Sequence, residues 1–387
     1  MDYEQDDEES RRESHMRTHL YNKQVVTIGG GTGPFAVLSS LKRYQCGITA
    51  IVTMSDSGGS SRRLMDEFGQ LPFGDLRQAL VALSRNGALW RDVFTFRFQP
   101  GHGNGNGKAD GEQDAQHAPE PEGIPGTLRS ADDETGKLQH LAEAAGVTGH
   151  SLGNLIISAL QEINSGNLLW AIRDAQRLLG TAGDVLPVTL KHATLCAELE
   201  DGATLCGETD IDTRGEKDLS DLPAIRRIYL EKPTDPCEDA IHVIRRADMI
   251  VLGPGDLYTS IVPNLLVNGV AEVIRAAEAE VVYVCNLMTK HGETDSFRAS
   301  DFVREIQRYL GRPLDRVILH DGSFPEELLP AYAAQRQYPV EADIAEVRKL
   351  APEVIVEPVL AVHGGSLVRH DARRLVRAIF APPSIAL

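Results

Sequence analysis

Apolar residues first gather at Val25-Val26-Thr27-Ile28, a short β-branched run. Glycines follow, and then Phe35, Leu38 and Leu41 recur at helical spacing, so the pattern predicts a strand, a tight turn and a helix. A second buried strand is predicted over 48–54, ended by a polar Gly/Ser turn. Helical periodicity returns over 151–163, where Leu155, Ile156, Ala159, Leu160 and Ile163 share one face. Apolar and polar residues alternate over 185–212 around Asp201-Gly202, which predicts a hairpin and hence a small antiparallel excursion within 185–230. Further buried strands are predicted at 249–252, 281–285 and 316–319, then one strand over 354–362 and a closing helix over 372–379. Strands that are apolar on both faces and alternate with helices predict an α/β fold. Its sheet is mostly parallel, with helices on both faces.

Two stretches break this rhythm. Residues 1–22 are polar and charged without apolar periodicity and read as a flexible acidic tail. Residues 99–136 place Gly101, Gly103, Gly105 and Gly107 at alternate positions before a Pro, Glu, Asp and Gln mixture, and read as an exposed low-complexity acidic insertion. The remainder, 23–387, reads as a single α/β domain. The 387 residues carry 39 Lys+Arg against 56 Asp+Glu, a net charge of −17, and most of that excess lies in 1–14 and 99–149. Such a chain is a poor polyanion binder, which argues against nucleic-acid and anionic-membrane roles; any anion must be held locally. Cys46, Cys196, Cys206, Cys237 and Cys285 are scattered, odd in number and without a C-x-x-C pair, so reduced thiols are expected. No run of 18 apolar residues occurs and the N-terminus is too acidic for a signal peptide, so a cytoplasmic protein without membrane insertion is expected. The apolar helices are compatible with a homo-oligomer, although no periodic seam marks an interface.

Candidate chemistry sits at the ends of the predicted strands. Gly29-Gly30-Gly31-Thr32-Gly33-Pro34 lies between a strand and a helix, where glycines admit close backbone approach and the helix start presents unpaired amides. A phosphate or diphosphate suits such a turn. Gly31, Gly33 and Ala36 also fit a loose dinucleotide pattern, with Asp56 some 25 residues on. There is no G-x-x-x-x-G-K-[ST] motif, which argues against P-loop chemistry. In the next turn Gly58, Gly59 and Ser60 expose amides and a hydroxyl, and Asp56 could accept from a ribose or hold a hydrated cation. Asp75 is expected to cap the helix carrying Leu76, Leu80 and Leu83, and Arg77 to reach a phosphate. Asn154 opens another helix beside His150, and Gly253-Pro254-Gly255-Asp256-Leu257-Tyr258 repeats the strand–turn–helix arrangement. Asn286 and the loop 288–295 come at a fourth strand end. Any one of these turns is equally compatible with an ordinary loop. Together they fit a ligand crevice at the carboxyl ends of parallel strands.

Taken together, residues 26–33, 55–61, Gly74-Asp75-Leu76-Arg77, 149–155, 252–260 and 286–295 resemble the gluconeogenesis-factor (YvcK-like) branch of the superfamily that contains 2-phospho-L-lactate transferase (CofD). The likeness runs in the same order over most of 24–325. It implies a Rossmann-like cytoplasmic protein that binds a nucleotide diphosphate, typically a UDP-sugar, and is linked to carbon metabolism, cell-wall synthesis and cell shape. The ligand-binding positions so implied are Gly29, Gly30, Gly31, Thr32, Gly33, Asp56, Gly58, Gly59, Ser60, Asn154, Gly253, Pro254, Gly255, Leu257, Tyr258 and Asn286. The enzymatic cousins transfer a phospholactyl group from a guanosine diphosphate carrier to a deazaflavin alcohol with Mg²⁺, towards coenzyme F420. On that alternative Asp56 and Asp75 would hold Mg²⁺ and Arg77 would steady the leaving phosphate. The chain departs from the pattern in three places. Ser57 stands where many relatives have a second aspartate, Asp256 where Ser is common, and Lys290-His291 where Gln-Pro is common. A third reading, an NAD-dependent dehydrogenase, rests on the glycine pattern alone and names no residue for hydride transfer.

Overall fold

The computed structural model describes residues 20–55, 72–97 and 149–381. The segments read as an acidic insertion (99–136) and most of the N-terminal tail lie outside these residues, as do Asp56, Gly58, Gly59 and Ser60. Leu20, placed in the tail by its polar neighbours, is fully buried and packs with Leu38, Leu41 and Leu80 in the core.

Seven parallel strands form one sheet: β1 (Gln24–Gly29), β2 (Gly47–Val52), β3 (Asp184–Pro187), β7 (Met249–Leu252), β8 (Glu280–Val284), β9 (Arg316–His320) and β10 (Glu353–Glu357). Their order is β10-β9-β8-β7-β1-β2-β3. The sheet confirms the α/β, Rossmann-like expectation. Successive residues of each central strand enter opposite halves of the core. Val25, Met249, Val251, Val282 and Val284 belong to one apolar cluster, and Val26, Ile28, Ile250, Leu252, Val281 and Tyr283 to the other. That two-sided burial is why these strands read as unbroken apolar runs, and at roughly 1.5–3 kcal/mol per buried aliphatic side chain it is the main stabilising term.

The chain builds outward from β1 through β2 to β3, returns to β7 on the other side of β1, and then builds outward to β10. The strand order therefore reverses between β1 and β7, where open α/β sheets form their crevice. Ile28 lies opposite Leu252 in register, and the amide of Gly253 donates to the carbonyl of Ile28 at 3.0 Å. Gly29 and Gly253 thus lie side by side at the carboxyl ends of two central strands.

Three expectations are corrected. The stretch 185–212 holds the hairpin expected about Asp201-Gly202, between residues 195 and 206, but is not that hairpin throughout. Its first residues form β3, the edge strand of the main sheet, where Pro187 is tolerated because its missing amide faces no further strand. The excursion proper is a three-stranded antiparallel sheet of β4 (Leu195–Leu199), β5 (Thr204–Cys206) and β6 (Ile225–Leu230), in the order β5-β4-β6. Cys196 and Cys206 face each other across β4 and β5 and form a disulfide, against the expectation of five reduced thiols; Cys46, Cys237 and Cys285 are free. Third, 354–362 is two strands. Pro358 separates β10 from β11 (Leu360–His363), which pairs with β12 (Leu367–His370) in a hairpin of its own. The closing helix Ala372–Ile379 is capped by Asp371, whose carboxylate accepts from the amides of Arg373 and Arg374. Among the described residues no single helix is long and apolar enough to cross a membrane.

Candidate functional site

The first glycine turn and the turn after β7 are interlocked. A Cβ added to Gly33 would lie 2.1 Å from the Pro254 carbonyl oxygen, and one added to Gly29 would lie 3.1 Å from Pro34 Cγ. Gly31 adopts φ +64° and Gly253 φ +81°, conformations that L side chains resist, and the Gly253–Pro254 peptide is cis. The helix Gly33–Leu41 then opens with Pro34 in its first turn, where a missing amide costs no hydrogen bond. The structure therefore brings together Gly29, Gly30, Gly31, Thr32, Gly33, Gly253, Pro254 and Gly255, which are more than two hundred positions apart in the chain.

Asp75 is not the cap it was expected to be. The helix Gly74–Leu83 starts after Phe73, and Asp75 lies in its first turn. Its Oδ1 accepts from the Gly31 amide at 2.6 Å, and its Oδ2 would be 2.4 Å from a Cβ on Gly30. The turn's amide thus already holds an anionic oxygen, the interaction that a strand-to-helix turn offers to phosphate. Arg77 is buried, with Nη1 donating to the Phe94 carbonyl at 3.1 Å, and its stem is crossed closely by Gly153. It is therefore built into the packing between helices Gly74–Leu83, Gly87–Thr95 and Leu152–Ile163. Asn154 is buried in the first turn of the last of these, where Ser151 Oγ accepts from its amide at 3.3 Å.

The turn after β7 is steadied from β8. Asn286 Nδ2 donates to the Gly255 carbonyl at 2.9 Å, and Tyr283 OH donates to Asn286 Oδ1 at 3.2 Å. Asn286 accordingly holds the glycine turn in place. Leu257 and Tyr258 point inward and are buried, with Tyr258 OH donating to Glu305 at 3.2 Å; burial, with Glu305 adding to it, pushes that phenol well above its ordinary range. These two side chains pack into the core under the turn. The apolar periodicity that seats them is the same signal that marks any buried helix.

Sequence reasoning missed the charged group beside Gly255. Asp256, Lys290, Glu293 and Asp212 converge there: Lys290 Nζ lies 2.9 Å from Asp256 Oδ2 and 3.1 Å from Glu293 Oε1, and it also pairs with Asp212 Oδ1. Asp256 and Lys290, 34 positions apart, are partners. Burial pushes the Glu293 carboxyl up to about 8 despite the opposing pull of Lys290, and raises Asp212 in the same way. Burial would lower Lys290, but Asp256, Glu293 and Asp212 outweigh it and hold the ammonium well above its ordinary value. Nothing local in the sequence links Asp212 to the other three. At the next strand ends, His370 Nε2 donates to the Cys285 carbonyl at 3.2 Å, and burial lowers the imidazole to about 4, so it is neutral near pH 7.

For Mg²⁺ at the first turn, the described residues supply only the Asp75 carboxylate, one oxygen of which is engaged by an amide. Asp56, the other carboxylate expected to hold that ion, lies outside the described residues.

Comparison with known proteins gives a consistent picture. The family model described as 2-phospho-L-lactate transferase CofD matches residues 25–360. A protein of Thermotoga maritima named putative gluconeogenesis factor is 36% identical over 359 residues, covering 92% of this chain and 98% of its own. The gluconeogenesis factor of Bacillus subtilis is 34% identical over 354 residues, covering 91% and 95%. A crystal structure of a Bacillus halodurans protein superposes with a TM-score of 0.76 at 34% identity, covering 92% of this chain and 99% of that one.

Proposed function

The chain belongs to the CofD family and is similar throughout to its gluconeogenesis factors, and on that premise we propose that it is a cytoplasmic regulatory protein that binds a nucleotide diphosphate of the UDP-sugar class. The observation that carries the reading is the contact between Gly33 and Pro254 at the reversal point of the sheet. It sets two amide-bearing turns around one place, so that a diphosphate would be held by backbone dipoles in a chain whose side chains are mostly acidic. The ligand then replaces the Asp75 carboxylate at the Gly31 amide. Binding without turnover would suit a sensor coupling nucleotide-sugar supply to carbon metabolism, cell-wall synthesis and cell shape.

The alternative is a transferase acting on a deazaflavin alcohol, which the family model's description favours. Melting curves with UDP-N-acetylglucosamine, UDP, GDP and NAD test the binding reading, because a ligand selective for the folded state raises apparent stability by mass action. A saturable shift with the UDP ligands and no product from deazaflavin alcohol plus its phospholactyl donor is expected. Product formation establishes the transferase instead, and a shift with NAD alone returns the dehydrogenase reading.

A further inference from the structure

Three carboxylates from three separate segments surround one ammonium. Asp212 ends the short helix Glu208–Asp212 of the excursion, Asp256 follows the Gly253–Gly255 turn, and Glu293 lies in the loop after β8. A ligand oxygen from each lies within 4.8 Å of the other two, a spacing that fits a hard cation between them. Lys290 Nζ fills that centre, pairing with all three. Two of its N–H donors are given to Asp212 and Asp256, and Glu293 is held by charge alone. Thr259 Oγ1 donates to Asp212 Oδ1, the oxygen that Lys290 also engages, at 3.2 Å.

Glu293 shows that the cage is not merely a solvated acidic face. Its side chain is 1% exposed and neither carboxylate oxygen has a hydrogen-bond partner; its contact is the 3.1 Å ion pair with Lys290. A carboxyl group buried in this way either keeps its proton or lies beside a compensating positive charge, and Lys290 supplies that charge here. The segments are also locked mechanically. A Cβ on Gly215 would stand 2.1 Å from the His291 carbonyl oxygen, and His291 Nδ1 pairs with Asp295 while its Nε2 meets the Asp218 carbonyl at 3.2 Å.

We propose that the ammonium of Lys290 takes the place of a divalent cation in a masked three-carboxylate metal site, joining the excursion to the glycine turns without a metal ion. The tethered charge stays when free metal is scarce, and the position of Asp256 beside Gly255 becomes independent of the cation supply. This inference does not depend on which ligand the turns bind.

Lys290→Ala removes the occupant and leaves room for an ion. Mn²⁺ binding followed by electron paramagnetic resonance, together with melting in EDTA and in Mn²⁺, reads the outcome. Expected is one added Mn²⁺ site in K290A, about tenfold or more tighter than any binding by the wild type, because ligand charge and count set the affinity of such sites. The added site should raise the melting temperature of K290A and disappear in K290A/D256N. Three results each overturn the proposal: no Mn²⁺ gained by K290A, a K290A chain unfolded in both media, or wild-type Mn²⁺ binding that Asp212→Asn abolishes.

Discussion

Gly33 and Pro254 approach so closely that a single methyl group on Gly33 would overlap the Pro254 carbonyl, 2.1 Å away. Gly33 is also a helix residue, and in an exposed helix alanine is better than glycine by about 1 kcal/mol. The two considerations have opposite signs, and the collision is with backbone, which cannot swing aside. Gly33→Ala should therefore destabilise the protein by roughly 1–3 kcal/mol, as overpacking does, and abolish the melting shift with UDP ligands. Urea unfolding and the ligand melt check both parts; a stabilised G33A that still binds would mean that the turns do not need to meet.

Asp75 and Gly31 form the second contact of this crevice. Asp75→Ala leaves the Gly31 amide without its acceptor and should cost about 1–3 kcal/mol in the absence of ligand. Asp75→Asn keeps an acceptor while removing a charge that opposes an incoming diphosphate, so it should hold most of the stability and bind UDP more tightly. Calorimetric titration of the two variants decides; weaker binding by D75N would show that the carboxylate is needed with the ligand, as the transferase reading requires.

Two buried groups give opposite dependences on pH. The folded Glu293 carboxyl, at about 8, holds its proton more tightly than the ordinary value of 4.5. Between those values the folded state binds the extra proton, so this group's contribution falls as pH rises from about 4.5 to about 8. His370, at about 4 against an ordinary 6.5, behaves oppositely: its contribution is present above 6.5 and is lost as pH falls towards 4. Above pH 6.5 only the Glu293 slope remains. Glu293→Gln should lessen the fall in stability between pH 6.5 and 8, and His370→Asn should lessen the loss as pH falls from 6.5 towards 4, measured by denaturant titration at each pH.

The Cys196–Cys206 bridge closes a short loop with a sequence separation of 10. Unfolded without reductant, the chain should titrate three thiols, those of Cys46, Cys237 and Cys285, and five after reduction. On the chain-entropy account, Cys206→Ser should lower stability by about 2–3 kcal/mol. Five titratable thiols in unreduced protein would restore the expectation of free cysteines.

The strand–turn–helix units were legible because their signals are local. Val25-Val26-Thr27-Ile28 followed by glycines marks a strand ending in a turn wherever the rest of the chain lies, and the same holds for 249–255. Where the reading failed, a local pattern had two tertiary outcomes. Alternation over 185–187 serves an edge strand as well as a hairpin. Asp75 stands where a helix cap stands, yet the partner that claims its carboxylate is 44 positions away.

The sequence alone determined the class of fold, the glycine-bearing strand ends and the family, because backbone conformation and apolar periodicity are written within a few residues of each other. The tertiary structure decided which ends meet. The pairing of β1 with β7, the seating of Gly33 on Pro254 and the gathering of Asp212, Asp256 and Glu293 around Lys290 join residues far apart in the chain. Such contacts arise only when the sheet has closed and its two apolar faces have been buried, so no local stretch of sequence records them.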